Sequence, residues 1–88
     1  MKTANIYMEA VKSIPAEITK QTELSFSVAD KIQEVLSSKG WSQKQFAHKM
    51  KKTEAEVSVW LSGQHNFTLR TIARISVTLG VDILKIAD

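Results

Sequence analysis

An all-α domain is predicted by three features of the sequence. Gly occurs three times and Pro once in 88 residues, too few turn formers for a sheet protein. A hydroxyl residue stands three positions before an acid or amide at Ser27–Asp30, Ser42–Gln45 and Thr53–Glu56, the form of a helix-opening capping box. Behind each box, apolar residues recur at three- and four-residue spacing. The expected architecture is a five-helix domain over residues 25–88, with residues 1–24 as a short helical extension packed on it.

Each element has its own signals. In the extension, Ile6, Ala10 and Val11 fall on one face of a short helix. Pro15 suits the first turn of a second, where its missing N–H has no intrahelical partner. Ile18 and Leu24 are that segment's apolar positions. Ser27 is read as the cap of the first domain helix, whose apolar positions are Val28, Ile32, Val35 and Leu36. Gly40 ends it in a left-handed conformation. Ser42 opens a short helix with Phe46, Ala47 and Met50 inside, and Thr53 opens another with Val57, Trp60 and Leu61 inside. The turn between these two covers Lys51–Thr53, and Gly63 closes the second. Thr68 caps a fourth helix whose expected apolar positions are Leu69, Ile72, Ala73, Ser76 and Leu79, ended by Gly80. A fifth is expected from Asp82, with Ile83, Leu84 and Ile86 apolar. No repeat, low-complexity stretch or flexible linker interrupts the chain, so one packed unit is expected.

Composition narrows the function. Cysteine is absent, which removes disulfides, thiol nucleophiles and thiolate-bound zinc and fits a reducing cytoplasm. No apolar stretch has the length of a signal peptide or a membrane span. His48 and His65 have no acidic partner at metal-ligand spacing, so no metal is expected. No nucleophile–base set, phosphate-cradling Gly loop or paired-carboxylate motif appears, so neither catalysis nor a cofactor is expected. The net charge is +3, but Lys39 to Lys52 carries five Lys and no acid. Such a cluster is either a phosphate-binding face or a solvated surface.

Two short capped helices joined by a tight turn match the helix-turn-helix unit. The first helix must approach the second closely, and Ala47 is the small residue at the crossing. With Val57, Trp60 and Leu61 buried, Glu54, Ala55, Ser58 and Val59 face outward near the N-terminus of the second helix, the end that enters a major groove.

Ser42-Gln43, Phe46-Ala47, Val57-Ser58, Gly63, Asn66, Leu69, Ile72 and Leu79-Gly80-Val81 resemble the pattern of the Xre/Cro-like family of phage-repressor helix-turn-helix domains, over residues 28–87. Glu56-Val57-Ser58, Trp60-Leu61-Ser62-Gly63 and His65-Asn66-Phe67-Thr68 resemble the branch that contains HigA-like antitoxins. The resemblance implies that Gln43 contacts a phosphate while buttressing the second helix. It places Thr53, Glu54, Ala55, Ser58 and Val59 against bases or the adjoining backbone. Asn66, Thr68 and the N-terminus of the fourth helix fall where the family grips phosphate, a grip that free amides and the helix dipole favour. Three residues depart from the pattern. Lys51 replaces a common turn Gly. Glu54 and Glu56 put carboxylates on the recognition helix, able to accept from cytosine or to serve the cap. Val59 stands where a polar base reader is common.

Further residues carry two readings each. Lys44, Lys49 and Lys52 are phosphate contacts or solvated charges. His65 is a phosphate ligand or a loop residue, and Gln64 is a candidate for backbone contact. Trp60 is read as core, Trp41 as a staple of the preceding loop onto the first helix, and Phe67 as core or loop anchor. The expected function is repression from a double-stranded DNA operator, as a homodimer joined through Val81, Ile83, Leu84 and Ile86, with the N-terminal extension as the second choice of contact. The resemblance adds a possible toxin protein as partner. A solitary regulator, or an interaction module without DNA binding, are the alternatives.

Overall fold

The computed structural model describes residues 13–86, and these form four helices and no strand. Helix α1 spans Ala16–Lys39, α2 Gln43–Met50, α3 Glu54–Leu61 and α4 Leu69–Leu79. Helix α3 packs on α1 and α2, and α2 also packs on α4. Ile32, Phe46, Met50, Val57, Ile75 and Leu79 are the fully buried centre. Phe46 and Trp60 meet edge to face with centroids 6.3 Å apart, a geometry that aligns ring edge with ring face.

The caps of α2 and α3 form as the spacing implies. Ser42 Oγ accepts from the Gln45 N–H at 3.0 Å, and Gln45 Oε1 accepts from the Ser42 N–H at 2.7 Å. Thr53 and Glu56 repeat the exchange at 3.1 and 2.9 Å. Thr68 Oγ1 accepts from the Thr71 N–H at the start of α4. Gly40 and Gly80 adopt left-handed conformations at the ends of α1 and α4.

The structure corrects four expectations. Ser27 caps nothing: it sits in mid-helix, and α1 runs without a break through residues 24–25. No Gly or Pro lies between Pro15 and Gly40, and Val28, Ile32 and Val35 continue one apolar stripe, so nothing stops the helix at the hydroxyl. Pro15 precedes α1 rather than entering its first turn, and its carbonyl accepts from the Ile18 N–H at 3.0 Å. No fifth helix follows Gly80 among the described residues. So short a segment cannot offset helix nucleation; instead Ile83 is buried, and its N–H donates to Ser76 Oγ at 3.2 Å. Lastly, Leu69 and Ala73 are exposed, and Ile75 takes the buried place on α4. Burying Ile72, Ile75 and Leu79 removes more apolar area from water than the stripe through Ala73 and Ser76 would. The expected contributions of Ile6, Ala10 and Val11 lie outside the described residues.

Gly63, at φ 82°, lies directly against the Phe26 ring, so a Cβ there would overlap it. Gly40, at φ 70°, faces open space. Gly63→Ala should therefore lose about 2 kcal/mol or more, combining left-handed strain with overpacking, whereas Gly40→Ala should lose about 1 kcal/mol from strain alone. Chemical denaturation of both variants checks this; equal losses would remove the role of the Phe26 contact.

Candidate nucleic-acid interface

The turn between α2 and α3 sets the geometry of the candidate site. Lys51 is the one non-Gly residue with positive φ among those described, at φ 58° and ψ 43°. Its N–H donates to the His48 carbonyl at 3.1 Å, and the Lys52 N–H to the Ala47 carbonyl at 2.9 Å. This pair of bonds is a Schellman closure, usually built with Gly. The closure turns the chain into Thr53 within three residues.

Three long side chains then hold the motif by backbone carbonyls. Gln43 Nε2 donates to the Glu54 carbonyl at 3.4 Å, linking the start of α2 to the first turn of α3. Gln33 Nε2 donates to the Leu61 carbonyl at 3.0 Å from α1. Arg74 Nη2 donates to the Met50 carbonyl at 3.0 Å from α4. The latter two satisfy carbonyls in the last turns of α3 and α2, where intrahelical partners run out. Local sequence patterns give Gln33 and Arg74 no site role, because their partners are backbone atoms 28 and 24 residues away.

With Val57 and Trp60 buried, α3 leaves Glu54, Ala55, Ser58 and Val59 exposed, and Thr53 before them is exposed too. Val59 presents a half-exposed apolar side chain, and Ser58 is exposed with its hydroxyl. Lys52, Val59, His65, Asn66 and Thr68 line one concavity of about 440 Å³ between α3 and the start of α4. Thr71 lines it as well, its Oγ1 3.0 Å from that of Thr68. The hydroxyl spacing Thr68-x-x-Thr71 was the available signal for this residue. His65 is half-buried, its ring edge-on to Phe67 at 4.9 Å and 6.2 Å from Trp60, so packing as well as polarity holds it at the rim.

Other candidates are placed apart. Gln64 lies beside Phe26 and Gly63 on the α1 side. Lys44 is on the outer face of α2 with Gln45, His48 and Lys49. Lys39 and Lys49 approach the Trp41 ring at 5.3 and 4.6 Å. The lysine run is thus divided: Lys52 borders α3, while Lys39 and Lys49 are engaged with an aromatic ring.

Glu56 serves the cap. The Thr53 N–H donating to its carboxylate holds its pKa below the ordinary value; desolvation pushes the other way, and the Lys52 charge and the Thr53 hydroxyl lower it further. Among the described residues, no cluster of three His, Asp or Glu could hold a metal ion, and no helix is long and apolar enough to cross a membrane.

A family model described as Helix-turn-helix matches residues 32–86, more than half of the chain. A comparison with curated proteins found no match, and a comparison with solved structures found none either.

Because the Glu56 carboxyl is held low in the folded chain, its contribution to the cap is full above the unfolded-chain value, about 4.3, and is lost as pH falls through the folded value. The Thr53 amide resonance should titrate with a midpoint below that value, and Glu56→Gln should abolish the titration. A midpoint at or above it would remove the cap as the cause.

Proposed function

Because the chain belongs to the helix-turn-helix family of DNA-binding transcription regulators, we propose that it is a cytoplasmic, sequence-specific repressor that binds a pseudo-palindromic operator as a homodimer. The observation that carries this reading is the exposed N-terminal face of α3, flanked by the concavity at the start of α4. In a major groove, Ser58 donates to or accepts from base edges, Val59 meets a thymine methyl, and Glu54 accepts from cytosine N4. Thr53 and Ala55 border the same face. Gln43, Lys52, His65, Asn66 and Thr68 meet the flanking phosphates, helped by the α4 amides and dipole. Lys44 and Gln64 extend the backbone contact outward on either side.

One helix-turn-helix reads few base pairs, so operator specificity calls for two copies about one helical turn apart, ~34 Å. Ile83 is buried in its own chain and leaves the expected dimer contact. Val77, 83% exposed, joins Val81, Leu84 and Ile86 as the apolar surface for it.

The antitoxin role, with a toxin protein as partner, is supported by the resemblance at Glu56–Ser58, Trp60–Gly63 and His65–Thr68. Much of that pattern also has structural work: Glu56 caps, Val57 and Trp60 fill the core, Gly63 meets Phe26, and Thr68 caps α4. Co-purification with the product of an adjacent reading frame distinguishes an antitoxin from a solitary regulator.

Selection from a random DNA pool tests the reading. Ser58→Ala and Glu54→Gln should change the selected sequence, by about 1–3 kcal/mol at individual base pairs. Lys52→Ala should keep the selected sequence, weaken binding and reduce the salt slope by about one. A motif that shifts with Lys52→Ala but not with Ser58→Ala and Glu54→Gln would contradict this docking.

A further inference from the structure

The candidate phosphate contacts sit on two separate pieces of the chain. Lys52 belongs to the turn between α2 and α3, whereas Thr68 and Thr71 stand at the start of α4, across the concavity of about 440 Å³. The segment that joins α3 to α4, residues 62–68, forms no helix and does not by itself fix their separation. Helix α4 meets the helix-turn-helix unit chiefly through α2, where Ile75 and Leu79 share the core with Phe46, Ala47 and Met50. Apolar contact is non-directional, so it holds the two helices together without setting their register.

One directional bond does set it. Arg74 Nη2 donates to the Met50 carbonyl at 3.0 Å. Among the described residues this is the one hydrogen bond that joins α4 to the α2–turn–α3 unit. Its ends lie where they act on the gap. Met50 is the last residue of α2, directly before the left-handed Lys51 and two residues before Lys52. Arg74 follows Thr71 by three residues, a spacing that puts both on one face of α4. The bond therefore spans the same two walls as the concavity, one helical turn further along α4. The acceptor also suits a cation. The turn already takes the Ala47 and His48 carbonyls, and the Met50 carbonyl lies at the negative end of the α2 dipole, without an intrahelical partner.

We propose that Arg74 is a positioning residue for phosphate binding: its bond to the Met50 carbonyl sets the gap between Lys52 and the hydroxyls of Thr68 and Thr71, so that both walls meet the DNA backbone together. This role rests on the DNA-binding reading above. Arg74 acts through Lys52 and Thr71 and not through a phosphate contact of its own.

A double-mutant cycle tests it, on the DNA sequence that the parent chain selects. In the parent background, Lys52→Ala should weaken binding about tenfold and lower the salt slope by about one. In an Arg74→Met background, Lys52→Ala should cost less than about twofold and leave the slope unchanged, because Lys52 is no longer held on its phosphate. Arg74→Gln, whose amide stops short of the Nη2 position, should give the same result. Arg70→Met removes an equal charge one turn earlier on α4, and there Lys52→Ala should keep its full effect. In the free chain, residual dipolar couplings should show α4 reoriented against α2 and α3 in Arg74→Met and unmoved in Arg70→Met. An equal Lys52→Ala loss with and without Arg74, or an α4 that keeps its orientation in both Arg74 variants, would overturn the proposal. A parent chain that selects no DNA sequence would instead overturn the DNA-binding reading, and the role of Arg74 with it.

Discussion

The crossing of α2 on α3 is the constraint from which the rest of the molecule follows. It is made by a turn in which Lys51 adopts a left-handed conformation, at a cost of about 1 kcal/mol for a residue with a Cβ. Two backbone hydrogen bonds close the turn, to Ala47 and His48. Ala47, buried and small, allows α2 to approach its neighbours. Once the crossing is set, Phe46, Met50, Val57 and Trp60 face a common centre, and α1 and α4 supply Ile32, Ile75 and Leu79 to it. Burial on this side of α3 compels exposure on the other, so the polar and apolar groups of Thr53–Val59 are presented by the same packing that stabilises the domain.

Rigidity at the site is maintained chiefly through backbone atoms. Gln43, Gln33 and Arg74 each donate to a helix carbonyl rather than to another side chain. Removing such a donor leaves a carbonyl short of a partner, yet the exposed face of α3 is free of these duties. Glu56 differs from its neighbours here, because its carboxylate is committed to the Thr53 amide. The two acids of α3 thus divide: Glu56 serves the fold, and Glu54 stands exposed.

Much of this was legible in the sequence wherever the causes are local. Capping boxes at Ser42 and Thr53 and the left-handed ends at Gly40 and Gly80 depend on residues within one turn of each other. The buried face of α3 followed from periodicity. The failures share a different cause. Ser27 has the residues of a cap but lies in a stretch with no breaker, and the continuous stripe of α1 overrides the local option. On α4, two apolar stripes compete in Leu69–Leu79, and only the packing against α2 selects the one through Ile75. The C-terminal residues were read as a helix, yet Ile83 is held inward by Ser76, a contact between α4 and the following strand-free segment that spacing does not reveal. At the site, the outward residues of α3 were visible from their helix face. The junction of Lys52 with Asn66, Thr68 and Thr71 was visible only in part, because it depends on how α4 meets α3.

Titrating the isotope-labelled full chain with operator DNA and following backbone amides tests the central claim most directly. The account predicts the largest shifts at Thr53–Val59 and His65–Arg70, with Ile32, Val57 and Ile75 nearly unmoved, as a preformed crossing requires. Shifts centred instead on Ile18–Leu24 or Val77, with the face of α3 unaffected, would contradict it.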